Sequence, residues 1–279
     1  MVVFPGCKIN LGLRILNKRN DGYHNLETIF YPVPFTDALE IISSSNSEPI
    51  IFSNSGLAVD GDSKDNICMK AYWLLKKDFP QLPSITMHLH KCIPMGAGLG
   101  GGSADAAFSL RLLNQLFHLQ ISTEKLIDYA AQLGSDCAFF ILNKPCLATG
   151  RGEILHPIAL NLSGYTLALV NPGIHVNTGA AFAALKLHKL DGESSQVASL
   201  TAIMQQPISS WKHTLINDFE EPVSQNWPVI KEIKEKLYSM GAVFAAMSGS
   251  GSTVFGLFDQ QLPGDKTDIF PFFTRFIQL

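Results

Sequence analysis

Pro94-Met95-Gly96-Ala97-Gly98-Leu99-Gly100-Gly101-Gly102-Ser103 is the stretch on which the reading of this chain turns. Five glycines fall within eight residues, Gly96 to Ser103. Glycine tolerates backbone conformations closed to other residues, so such a run can turn its N–H groups toward one point. A predicted strand, Ser84–Leu89, leads toward it, and a predicted helix leaves from Ser103 with Ala106, Leu110, Leu113 and Phe117 on one face. A helix N-terminus adds partial positive charge to those N–H groups, a combination that holds phosphate. An ordinary tight turn needs only one or two glycines.

The flanking pattern excludes two common phosphate folds. Gly96-x-Gly98-x-x-Gly101 satisfies the dinucleotide fingerprint, but a βαβ unit returns to a strand within about thirty residues. Here a second helix follows instead, from about Thr123 to Leu133, with Gly134 as its stop. No Gly-Lys-Ser/Thr follows the glycines either. The loop reads as a triphosphate cradle of another kind.

Outward from the loop, the first hundred residues read as strands and turns, interrupted by a helix with Ile67, Ala71, Leu74 and Leu75 at helical spacing behind Asp65 as cap. Cys137–Leu142 reads as an apolar strand. The second half reads as strand Tyr165–Val170, then helices, with Pro228 opening one that carries Ile230, Ile233 and Leu237 and stops at Gly241. Strands Ala242–Met247 and Ser252–Phe258 flank Ser248-Gly249-Ser250-Gly251. Strands and helices without strict alternation predict an α+β fold. A boundary near the Pro- and Asn-containing residues 157–164 predicts two domains, 1–156 and 157–279. The apolar tail Phe270–Ile277 is expected to pack on the core.

The 279 residues are 46% hydrophobic and 16% charged, enough for a packed core, which excludes a disordered or collagen-like chain. A net charge of −3 without a basic block argues against nucleic acid as partner. Five scattered cysteines without a Cys-x-x-Cys pair argue against a zinc ribbon and for free thiols in a reducing compartment. No apolar run approaches the length of about 18 residues that a membrane helix needs, and Pro5-Gly6 precedes any signal-like segment. The expectation is a cytoplasmic protein, monomer or homodimer, whose partner is a small molecule and not a membrane.

Several polar residues stand out. Lys8 and Asn10 share a strand face opposite Ile9, Leu11 and Leu13; Lys8 is a solvated lysine or a functional one. Asp136 follows a helix stop and is either a cap or a general base. Asp21-Gly22-Tyr23-His24 is a turn followed by a ring that can stack on a base and an imidazole that can read its edge. His88, His90 and Cys92 alternate on one strand face, which suits a metal or an exposed polar face. Asn171-Pro172-Gly173 with Thr178 and Phe182 reads as a strand end, turn and helix start, Phe182 by spacing belonging to the core.

Together these pieces resemble the GHMP kinases. Pro94–Ser103 is similar to that family's central phosphate motif, and Ser248-Gly249-Ser250-Gly251-Ser252 to its third. Lys8-Ile9-Asn10-Leu11, Arg19–His24, Leu133-Gly134-Ser135-Asp136 and Asn171-Pro172-Gly173 with Thr178 follow in the order of those members that act on a cytidine-diphosphate-linked methylerythritol. The resemblance implies ATP and magnesium, with transfer to the 2-hydroxyl of that substrate. It implies Asp136 as general base, Lys8 beside it, and Pro94–Ala104 around the phosphates. Tyr23 and Phe182 would sandwich the cytosine, His24 would bond its edge, Asn10 and Thr178 would meet polar groups, and Asn66 and Lys91 would lie near adenosine. Two departures from the family pattern are Pro5-Gly6-Cys7 before the lysine and Cys137-Ala138 after the aspartate. The family's acidic magnesium ligand has no match, which leaves Ser103, water and phosphates. Rival readings are a GHMP kinase for mevalonate, homoserine or a sugar, a dinucleotide oxidoreductase, and a silent nucleotide sensor.

Overall fold

The computed structural model describes residues 1–59, 65–185, 198–260 and 269–279. By internal contacts they form two compact units, neither continuous in sequence. The first is Met1–Cys7, Pro34–Met95 and Gly100–Lys144; the second is Lys8–Val33, Gly96–Leu99 and Pro145–Leu279. This partition is not the linear one at 156/157. Its cause is strand pairing: β2 (Gly6–Lys18) and β3 (His24–Thr36) share a sheet with β7 (Cys146–Thr149) and β8 (Ile154–Pro157), in the order β2-β3-β7-β8.

The first unit holds a sheet in the order β1-β4-β6-β5, made of β1 (Val2–Val3), β4 (Ala38–Ser43), β5 (Ile50–Gly56) and β6 (Ile85–Lys91). β5 runs parallel to β6 and the other pairs are antiparallel. In β6 the period-two alternation buries Ile85, Met87, Leu89 and Lys91, while His88 and His90 sit on the more open face. Four helices pack with this sheet and one another: α1 (Ile67–Asp78), α2 (Gly101–Leu116), α3 (Thr123–Leu133) and α4 (Cys137–Leu142). Asn66, not Asp65, caps α1, its side chain accepting from the Cys68 amide at 2.9 Å. Asp65 instead pairs with Lys70 in solvent. α3 spans the predicted residues and ends at Gly134. α4 corrects the strand expected there: a six-residue unbroken apolar run has no periodicity to separate strand from buried helix. Left-handed Asn143 closes it.

The second unit adds an antiparallel sheet, β10-β11-β9-β12, from β9 (Thr166–Asn171), β10 (Phe244–Met247), β11 (Val254–Phe258) and β12 (Phe273–Gln278). Every residue of β9, β10 and β11 is buried. Its helices are α5 (Thr178–Ala184), α6 (Leu200–Met204), α7 (Trp211–Thr214), α8 (Glu220–Asn226) and α9 (Val229–Ser239). α9 follows Pro228 and lays Ile230, Ile233 and Leu237 into the core beside β10 and β11. The tail Phe270–Ile277 packs on this core as expected: β12 pairs along β9 and Phe270 is buried. The fold is α+β.

Buried Asn217 fixes the turn after β10. Its Nδ2 donates to the carbonyls of Met247 and Gly249, both at 2.8 Å, and its Oδ1 accepts from the Phe219 amide. Asn217→Ala strands these three backbone groups and should cost about 2–3 kcal/mol in denaturant unfolding. A loss below about 0.5 kcal/mol would mean that water replaces the amide.

Candidate active site

Lys8 is not a solvated lysine. It lies in β2 with 3% exposure. Its Nζ donates to Asn10 Oδ1 at 2.5 Å and to the Gly98 carbonyl at 2.9 Å, and sits 5.3 Å from the centre of the Phe30 ring. Asn10, also 3% exposed, donates through Nδ2 to Thr28 Oγ1, which donates to the Gly12 carbonyl at 2.5 Å. The Asn10 amide donates to Ser248 Oγ, which in turn donates to the Gly98 carbonyl at 2.9 Å. Lys8, Asn10, Gly96–Leu99 and the turn beginning at Ser248 therefore form one hydrogen-bonded group within the second unit. Glycine is required at the closest point: Gly98 has φ +77°, and a Cβ there would lie 2.1 Å from the Ser248 carbonyl.

Thr178 opens α5, where the Asn177 side chain caps the helix by accepting from the Ala180 amide. Its hydroxyl is 3.1 Å from Ser250 Oγ, which places it beside the same turn. Nearby, the His24 ring stacks on Phe182 at 4.7 Å and 11°, and Phe182 meets Phe219 edge-on at 4.8 Å. Tyr23 is 57% exposed, and the Arg151 guanidinium lies 5.0 Å from its ring centre. The structure thus pairs Phe182 with His24, where the sequence expectation set Phe182 against Tyr23 across a base. Phe182 also belongs in part to the core, as its spacing suggested.

In the first unit, Gly100 precedes α2 in a left-handed conformation, and Gly101, Gly102, Ser103 and Ala104 form the first turn. Asp136 stands at the start of α4, and its side chain makes no capping hydrogen bond to that helix. Burial pushes the Cys137 thiol up to about 12 against a hydrogen bond with Ser103, and the charge of Asp136 adds to the rise. That hydrogen bond brings Ser103 next to the residue that follows Asp136.

Lys91, expected to lie near adenosine, has a side chain that is 2% exposed and bound to Asp105 Oδ2 at 2.9 Å and to Asp37 Oδ2. Burial opposes its charge, but Asp105 and Asp37 outweigh it and hold its pKa above the ordinary lysine value. Burial drives Asp105 upward, with Lys91 opposing and Asp37 adding to the rise. Asp37 also accepts from the backbone amides of Cys92 and Ile93 through Oδ1. His88 and His90 bond to the hydroxyls of Ser53 and Ser55, which gives the exposed-face reading of that histidine pair.

Two family models match the chain: the GHMP kinases N-terminal domain over residues 66–144 and the GHMP kinases C-terminal domain over 202–266. The chain is 53% identical over 269 residues to the 4-diphosphocytidyl-2-C-methyl-D-erythritol kinase of Bacteroides fragilis, covering 96% of each. It is 49% identical to the kinase of that name from Cytophaga hutchinsonii, covering 93% of each. The chain belongs to the 4-diphosphocytidyl-2-C-methyl-D-erythritol kinase family of GHMP kinases. A crystal structure of a 4-(cytidine 5'-diphospho)-2C-methyl-D-erythritol kinase superposes with a TM-score of 0.79 at 31% identity, covering 92% of this chain and 90% of that one. Mevalonate kinase of Methanococcus jannaschii shares the fold, with a TM-score of 0.72 at 12% identity, covering 100% and 98%.

Within this kinase family the sequence reading missed Thr28, Asn217, Asp37, Asp105 and Arg151. For Asp105 a signal existed: an acid on the buried face of a helix, four residues from Gly101 and four from Ser109. Lys91 carried one too, falling in register with Ile85, Met87 and Leu89. Thr28 and Asn217 carried none. Among the described residues no group of three or more His, Cys, Asp or Glu side chains is placed to hold a metal, and no helix is long and apolar enough to cross a membrane. Magnesium keeps several waters and is commonly held through substrate phosphates. Ser103, a half-buried hydroxyl in the first turn of α2, fits such an ion arriving with a nucleotide.

Gly98→Ala should lower thermal stability by at least about 1–2 kcal/mol, because a left-handed backbone and a carbonyl clash coincide. Gly102→Ala, with nothing within 4 Å of the added Cβ, should leave melting unchanged or raise it. Equal melting shifts for both variants would remove the close approach of Gly98 to Ser248 as the cause.

Proposed function

We propose that this kinase moves the γ-phosphoryl group of ATP to the 2-hydroxyl of 4-diphosphocytidyl-2-C-methyl-D-erythritol. The observation that carries the reading is the burial of Lys8 in a lattice of Gly98, Asn10 and Ser248, which aims a fixed positive charge at the glycine loop. Loop and helix amides around Pro94–Ala104 bind the triphosphate, and magnesium accompanies it with Ser103 as protein ligand. Asn66 lies toward the adenosine.

The acceptor is a tertiary alcohol whose pKa lies far above 7. Asp136 therefore takes its proton as the new oxygen–phosphorus bond forms and the bond to the ADP oxygen breaks, not beforehand. Lys8 stabilises the negative charge on the attacking oxygen and the transferred group. Asn10 and Thr178 contact polar groups of the substrate. Cytosine is recognised by Tyr23, His24 and Phe182, either by parting His24 from Phe182 or by stacking on Tyr23 under Arg151. A small aliphatic acceptor would give these rings nothing to stack on, which weighs against mevalonate or homoserine.

The test is ADP release with Mg-ATP and the cytidine substrate, beside mevalonate, homoserine and galactose. Turnover with the cytidine compound alone is expected, and cytidine should protect the protein from thermal unfolding. Turnover with another acceptor would discard the cytosine pocket. Asp136→Asn should lower turnover by about two to four orders of magnitude with ATP affinity retained. Equal loss of both would return Asp136 to a structural role. Lys8→Ala should lower turnover more than nucleotide affinity, and an unchanged rate would remove Lys8 from the chemistry.

A further inference from the structure

The group formed by Lys91, Asp37 and Asp105 takes no part in the proposed phosphoryl transfer, yet its place in the chain is specific. All three are at most 2% exposed. Lys91 is the last residue of β6, and Asp37 Oδ1 accepts from the next two amides, Cys92 at 2.6 Å and Ile93 at 2.9 Å. These residues run directly into Pro94, where the glycine loop begins. Asp105 lies on the far side of the glycines, in α2, one turn beyond Gly101. Gly101 is pressed against the group: a Cβ there would lie 2.9 Å from Ile93 Cγ2 and 3.1 Å from Lys91 Nζ. One ammonium thus ties the strand end before the loop to the helix turn after it.

Stability alone does not account for this device. Replacing a buried ion cluster with apolar residues of similar volume is often neutral or stabilising. Here one buried ammonium faces two buried acidic side chains, and the cost of taking all three out of water works against the folded state. What the group supplies is position. Amides that hold phosphate must be set in advance, because a small displacement of their geometry loses the gain of preorganisation.

We infer that Lys91 is a positioning residue for nucleotide binding, setting the spacing between Ile93 and the first turn of α2 so that the amides of the glycine loop converge on the triphosphate. The inference rests on reading that loop as the ATP site. Its basis is hydrogen bonding to Asp37 and Asp105, not side-chain contact with the nucleotide.

Calorimetric titration of ATP into three proteins separates the possibilities: the native chain, Lys91→Met, and a neutral triple variant with Lys91→Met, Asp37→Asn and Asp105→Asn. Stoichiometry reports the folded fraction and the dissociation constant reports the loop. Lys91→Met should bind ATP at least about tenfold more weakly. The triple variant should recover the melting temperature, since no buried charge is left unpaired, but not the affinity. It carries the test even if Lys91→Met does not fold. ATP affinity within about twofold of native in either folded variant would overturn the inference. So would recovery of affinity together with melting temperature in the triple variant, which would make the role structural only. Absence of ATP binding by the native chain would instead fail the reading of the loop itself.

Discussion

A glycine-rich loop has no side chains with which to hold itself, and this constraint organises the structure around residues 94–103. Its amides are useful to a phosphate only if the backbone is fixed, yet the residues that permit its conformation also cost the most entropy to order. The fixing must come from elsewhere in the chain. In the second unit it comes from Lys8 and Ser248, both donating to the Gly98 carbonyl, and from the Thr253 amide donating to Ala97. In the first unit Lys91 binds the carboxylates of Asp37 and Asp105, before and after the glycines. Both lysines are buried, and a buried ammonium is tolerated only where oxygen atoms meet it. The loop is therefore held by groups whose own positions are enforced by desolvation.

That arrangement explains which parts of the fold were legible. α2, α3 and α9 announce themselves because their buried faces recur at helical spacing and their ends carry Gly134 and Pro228. β9 to β11 are short apolar runs between turn signals, and they appear where expected. α4 does not, since Cys-Ala-Phe-Phe-Ile-Leu is apolar on every side and its helical state depends on packing against α2 and α3. The interleaving of the two units is equally silent in the sequence. It follows from the pairing of β3 with β7, Thr28 opposite Ala148, and no local pattern encodes a partner more than a hundred residues away.

The site divides along the same line. Residue types that chemistry singles out were visible locally: a lysine in an apolar strand, an acid after a helix stop, a ring and an imidazole after a turn. Their surroundings were not. The solvated reading of Lys8 fails because Gly98 and Asn10 enclose its ammonium, and Gly98 is ninety residues away. Lys91 shows the opposite case: its side chain faces inward with Met87 and Leu89, and the inward face of β6 was already written in the alternation.

On the proposed function the loop and its braces serve phosphoryl transfer in general, and fold by itself does not choose an acceptor. Selectivity has to come from side chains that the transfer does not need. The cluster of His24, Phe182 and Phe219, with Tyr23 and Arg151 close in sequence to its strands, is built from that kind of residue. An imidazole stacked on a phenyl ring gives up a face that could meet a base, and an exposed tyrosine under a guanidinium offers another. Aromatic faces bind a pyrimidine largely through shape and dispersion, whereas the imidazole edge supplies direction through a hydrogen bond. The proposed division of labour follows from that physics: carbonyls and buried cations would fix the loop for any nucleotide, while a few rings in the second unit would decide which alcohol is phosphorylated.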